Sequence, residues 1–269
     1  MKKILTMACL AAMVLGATVT FTSCNNDNDD ETSGGMANPQ IVFTGGLPKK
    51  AAGMTIQTNE KGQIVAIKDG KDVVTFKYRE AITRSAKSDP DVVMTQGEGK
   101  ERLVCNLYLN KDGFVRHCEE IEYDLDGKQE ETWDFTYNGD GQLLTMLRSE
   151  GGNEKTTIKY QDGNIVETAT VSAKEPEESS SYKVYYTSNS ITSPIENKGC
   201  IMLFDTTFGI DMDEMKYAYY AGLLGKATKH LPARLVDNEN YTQNFSWTLN
   251  SAGYPISFKG NNETYSFAW

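Results

Sequence analysis

The chain has 269 residues, 27 basic against 37 acidic side chains, and a formal net charge of −10 at pH 7. That balance tells against nucleic acid and anionic lipid surfaces, both of which call for a basic footprint. With 39% hydrophobic residues, the part beyond residue 40 is long enough for one sizeable β domain.

At the N-terminus, Lys2 and Lys3 precede a run from Ile4 to Phe21 that is almost wholly apolar or small. This is the pattern of a secretory signal. It stops at Phe21-Thr22-Ser23-Cys24, which resembles the bacterial lipoprotein signal, cut before the cysteine so that the new N-terminus carries lipid. Residues 1–23 are therefore the expected signal peptide, and Cys24 is the expected lipidation site, with palmitate-type acyl chains. Each buried methylene contributes about 0.8 kcal/mol, so several chains hold a protein stably on a membrane. Removing residues 1–23 takes away Lys2 and Lys3 and no acid, so the formal charge moves from −10 to −12.

The run NNDNDDE, residues 25–31, resembles the acidic export signal of Bacteroides-type surface lipoproteins. The expected location is the outer membrane, facing the cell surface. Residues 24–40 hold little that is apolar and are expected to form a disordered acidic tether. A single domain is expected over residues 41–269.

From Ile41 a motif recurs: an alternating strand, Asn or Asp, Gly, and another strand. Copies include "TIQTNEKGQIVAI", "LYLNKDGFVRH", "DFTYNGDGQLLTM" and "SWTLNSAGYPISF". Gly62, Gly113, Gly127, Gly141, Gly163 and Gly253 are the expected turn residues with positive φ. Trp133, Phe135 and Tyr137 alternate with Asp134 and Thr136, so each strand carries one apolar and one polar face. Hairpins at such short intervals predict an all-β, mainly antiparallel, up-and-down meander, closing into a barrel or a strongly curved sheet.

Beyond Cys24 three cysteines remain: Cys105, Cys118 and Cys200. A two-residue loop at Lys111-Asp112 would set Cys105 opposite Cys118, where a disulfide fits. A type I turn with a bulge at Gly113 would put them on opposite faces, and Asn-Lys-Asp-Gly favours that turn.

One stretch breaks the β pattern. In "GIDMDEMKYAYYAGLLGKATKHLP", Asp211 precedes Glu214 by three residues, as in a helix cap and its box partner. Met212, Met215, Tyr219 and Leu223 share one helical face, so a short amphipathic helix is expected near residues 211–224. Together "VFTGGLP", "QTNEKGQIVAI", "YAGLLGKATKHLP" and the terminal "YSFAW" resemble a family of Bacteroides-type lipoproteins of unknown function with a porin-like fold. The resemblance covers most of residues 41–269. It implies a curved or closed up-and-down β structure and no activity.

Chemistry is sparse. "YDLDGK" and "YNGDGQ" lack the ligand spacing of a calcium loop and are ordinary turns. His117 and His230 lie in no nucleophile or zinc motif. No catalytic residue, metal site or cofactor is expected. Tyr185 and Tyr186 put rings on both faces of one strand and are candidate ligand-stacking residues. Thr206 in "DTT" is a candidate O-glycosylation site.

The expected function is a non-catalytic ligand- or partner-binding module, anchored to the membrane by lipid. The expected partner is a glycan or an envelope protein, with no nucleic acid. The alternatives are an integral outer-membrane β-barrel and a polysaccharide hydrolase. Oligomeric state is not legible.

Overall fold

The structure, a computed structural model, describes residues 35–79, 89–125, 127–174, 176, 179–260 and 263–269. Cys24 and the acidic run after it lie outside the described residues.

The first strands are β1 (Lys50–Ala51), β2 (Met54–Thr58), β3 (Ile64–Asp69), β4 (Asp72–Tyr78), β5 (Val92–Glu98) and β6 (Glu101–Leu109). They are followed by β7 (Val115–Tyr123), β8 (Lys128–Tyr137), β9 (Leu143–Arg148), β10 (Glu154–Gln161), β11 (Asn164–Val171) and β12 (Ser180–Tyr185). Each pairs antiparallel with the next, which is the predicted meander. β13 (Ile195–Glu196) and β14 (His230–Leu231) pair with each other. β15 (Arg234–Asp237) then returns to β12, and β16 (Thr242–Asn244) completes a 14-stranded sheet.

This sheet does not close on itself, because its edge strands β1 and β16 do not pair. A separate three-stranded sheet, β17 (Ser246–Leu249), β18 (Pro255–Gly260) and β19 (Glu263–Ser266), stands between those edges. On one side only Phe245 separates β16 from β17, and its N–H donates to Ala233 O at 2.9 Å. On the other, the Ala268 N–H donates to Lys50 O at 3.0 Å. The result is a strongly curved antiparallel wall joined at a corner and a single bridge.

The turns explain the regularity. Asn59, Asn110, Asn138, Asp237 and Asn250 each accept, on one side-chain oxygen, the N–H groups two and four residues ahead, at 2.8–3.0 Å. The residue three ahead has positive φ in every case: Gly62, Gly113, Gly141, Asn240 and Gly253. All six glycines expected at positive φ have it.

Four short helices are described: α1 (Pro39–Val42), α2 (Glu150–Asn153), α3 (Phe204–Phe208) and α4 (Met215–Tyr220). Pro39 and Val42 are buried, and Gly35 N–H donates to Asn110 O at 2.7 Å. Packed chain thus begins ahead of the expected boundary at residue 41. The helix expected near residues 211–224 is six residues long. Asp211 caps no helix; it accepts from the N–H of Asp213 at 3.2 Å in a tight turn. Glu214 makes no side-chain cap bond. Gly222 and Gly225, both at positive φ, end the helix early.

Residues 197–233, including α3 and α4, run inside the curved wall. Phe208, Ile210, Met215, Ala218, Ala221 and Leu223 are all fully buried there, against inward residues such as Ile67, Leu107 and Trp133. Backbone bonds lock this plug to the hairpin ends: Lys226 N–H donates to Gly141 O at 2.8 Å, and Lys229 N–H to Gly163 O at 2.9 Å. The outward face of β8 carries Thr132, Asp134 and Thr136, and that of β10 Lys155 and Lys159. The wall is therefore apolar inside and polar outside. No described helix is long and apolar enough to cross a membrane.

Candidate functional site

A cavity of about 370 Å³ opens where the plug meets the rim of the wall. Asp69, at the end of β3, supplies one carboxylate. Asp205 comes from the first turn of α3, and Asp211 and Asp213 from the turn before α4. Lys216 is the one cation of the lining among the described residues, and Met54, Phe204 and Tyr220 give the cavity an apolar surface.

These acids are not equivalent. Asp213 is paired with Arg148 Nη1 at 2.5 Å. Asp69 accepts from the Tyr217 hydroxyl at 3.1 Å. Asp205 makes no salt bridge among the described residues; partial burial, then Asp211 and Glu263, push its pKa above the ordinary carboxylate value, and Lys216 only partly offsets them. Among the described residues, the cavity thus has two carboxylates, Asp205 and Asp211, without a salt bridge, beside an apolar floor. Sequence reasoning missed this convergence because "GIDMDE" looks like a helix start.

The candidate residues fall elsewhere or serve structure. Thr206, half-buried on α3, lines the same cavity and donates to Glu263 Oε2 at 3.1 Å. The Tyr186 hydroxyl donates to Ile165 O and meets Thr228 Oγ1, both at 2.8 Å, and its ring abuts His230. That side chain is tied into the fold by its hydroxyl and half-buried. Tyr185 is exposed, but the Arg234 guanidinium lies 4.0 Å over its ring, covering one face.

His117 Nδ1 and Asp134 Oδ1 lie 2.8 Å apart on the outer face, across from the buried Cys118. His230 lies in β14, 3.1 Å from Asn164 Oδ1, with its pKa lowered by burial and then by Lys229.

Cys105, Cys118 and Cys200 are free thiols. The bulge at Gly113 is present, but a second irregularity follows it between Tyr108 and Leu109. Cys105 is thereby opposite Glu120, and Cys118 opposite Leu107. The two shifts cancel in parity, so both cysteines face inward as diagonal neighbours, not to opposite faces as the first bulge alone predicts. Diagonal Cα atoms stand about 7–8 Å apart, beyond ordinary disulfide reach.

Comparison with known proteins bears on the fold. Residues 52–257 match a family model described as "Domain of unknown function (DUF4595) with porin-like fold". A crystal structure of a porin-like protein from Bacteroides uniformis is similar, with a TM-score of 0.59 and 18% identity. The similarity covers 82% of this chain and 91% of that one. No curated protein matches.

Proposed function

The chain belongs to this family of unknown function with a porin-like fold, and from that premise we propose that it is a lipid-anchored, non-catalytic envelope protein that binds a small cationic ligand. The observation that carries this reading is the rim cavity, in which acids outnumber the single described cation, Lys216, and Asp205 and Asp211 make no salt bridge among the described residues over an apolar floor. Concave sites of about 300–1,000 Å³ with few, placed polar groups are the usual form of small-molecule sites. A cation with an apolar body would relieve the repulsion between the two carboxylates and cover the floor.

The wall itself supports a tethered protein over an embedded one. A bilayer-spanning barrel turns an apolar band outward and keeps a polar interior. Here the polarity is the reverse, and the plug occupies the interior. Anchoring then falls to Cys24.

Titration calorimetry of the purified chain at low ionic strength tests the site, with spermidine as the cationic probe and a neutral oligosaccharide as the contrast. Saturable 1:1 binding of spermidine, weakened at least about tenfold in Asp205→Asn/Asp211→Asn and by added salt, is the expected result. Binding that the double variant leaves intact, or binding of the neutral sugar alone, overturns it.

A further inference from the structure

On the wall side of α4 lies a second group of acids, joined by sulfur and largely shielded from solvent. Cys105 on β6, Glu120 on β7 and Glu214 at the start of α4 each offer a ligand atom, and these atoms lie within 4.8 Å of one another. Cys105 and Glu120 are buried. Glu214 is half-buried, but its Oε1 is shielded from solvent and, among the described residues, has no partner besides the facing Glu120 carboxyl. Two carboxylates facing each other in an apolar interior repel unless a proton or a cation stands between them.

We propose that Cys105, Glu120 and Glu214 form a binding site for a divalent transition cation of the Zn²⁺ type. Thiolate sulfur selects a borderline-soft ion over Mg²⁺ or Ca²⁺, and carboxylate oxygens complete the set. Three protein ligands leave one position open. Cys118, the diagonal neighbour of Cys105 on β7, is buried on the same inner face. The surroundings are those of a held ligand set. The Trp133 Nε1–H donates to Glu120 Oε2 at 2.8 Å, which orients that carboxylate. The Arg148 guanidinium covers the Trp133 ring at 4.7 Å.

There is also a way in. Glu214 lines a separate open cavity, shared with Gln96, Arg102 and Glu122, that leads to solvent. Binding displaces the Cys105 thiol proton and any proton shared by the two carboxylates, and both go to water. Because Glu214 belongs to the plug and the other ligands to the wall, the ion would tie one to the other. The site shares no residue with the acidic rim cavity, so the two readings stand or fall separately.

The test uses the full chain carrying Cys24→Ser, reduced and stripped with chelator, titrated with Co²⁺ and then Zn²⁺. One Co²⁺ per chain is expected, with a thiolate-to-cobalt absorption band that Zn²⁺ abolishes. Cys200→Ser should leave the band unchanged, Cys105→Ser should remove it, and Glu214→Gln should weaken binding at least about tenfold. Near-ultraviolet circular dichroism reports whether each variant is folded. Should Cys105→Ser fail to fold, the near-isosteric Glu214→Gln carries the test. A folded, fully reduced chain without the band overturns the proposal and leaves a shared proton between the carboxylates. So does a band that Cys200→Ser removes and Cys105→Ser spares.

Discussion

At the scale of single residues, the turn asparagines and their glycines do the most. Gly163 and Gly225 have nearly the same φ, +78° and +81°, so alanine carries a similar backbone cost at each. Their surroundings differ. A Cβ on Gly163 would meet only the Lys229 side chain at 3.5 Å, whereas one on Gly225 would sit 2.7 Å from Gly141 O and 2.9 Å from the Tyr137 ring. Gly225→Ala should therefore cost at least about 1 kcal/mol more than Gly163→Ala in urea unfolding, because the plug must back away from the hairpin. Asp205 gives the pH counterpart. Its folded pKa is raised, so its contribution is fully present below the ordinary aspartate range and is lost as pH climbs through the folded value. Asp205→Asn should consequently raise Tm at neutral pH and leave it nearly unchanged in acid; an unchanged Tm at both would show that the carboxylate is well solvated. The positive-φ glycines were readable from sequence because Asn-x-x-Gly is local chemistry. That Asp237 and Asn240 build the same turn without glycine was not read, although aspartate and asparagine are the two residues equipped to do it.

At the scale of elements, the plug decides the interior. Leu223 is fully buried just past α4, and its carbonyl accepts from the N–H of Val115 at 2.8 Å. Leu223→Ala should cost about 2–5 kcal/mol by chemical denaturation, the range for cavities in packed cores. A value under about 1 kcal/mol would mean that the plug packs loosely. The apolar stripe of Met212, Met215, Tyr219 and Leu223 was legible, and all four are buried. The helix length was not, since a stripe of that period also fits a turn, a short helix and an irregular return. The β6–β7 hairpin teaches the same limit. One bulge was legible in Asn-Lys-Asp-Gly. The second, near Leu109 and Val115, coincides with the Leu223–Val115 bond, a partner over a hundred residues away. Side-chain parity in a strand flips with each extra residue, so a single unseen bulge reversed the expected placement of the two cysteines.

At the scale of the whole molecule, a filled wall with a polar exterior makes two demands. The chain added to planar bilayers should give no stepwise ion conductance, and a chain starting at residue 33 should stay in solution without detergent; conductance steps would show that the plug leaves the wall. Protease treatment of intact cells should remove the domain from the surface, and Cys24→Ala should no longer be retained there. Resistance until the envelope is opened would place the domain on the inner side of the outer membrane. The sequence by itself determined the antiparallel meander, the turn positions and, outside the doubly bulged β6–β7 hairpin, which face of a strand turns inward, because each depends on neighbours a few residues apart and on a period of two. The tertiary structure alone decided that the wall stops short of closing and that residues 197–233 fill it. It alone brought Asp69 to Asp205 and Asp211, and Cys105 and Glu120 to Glu214. Those meetings depend on strand register and on the return path of a segment far along the chain from the strands it touches, and no local pattern records either.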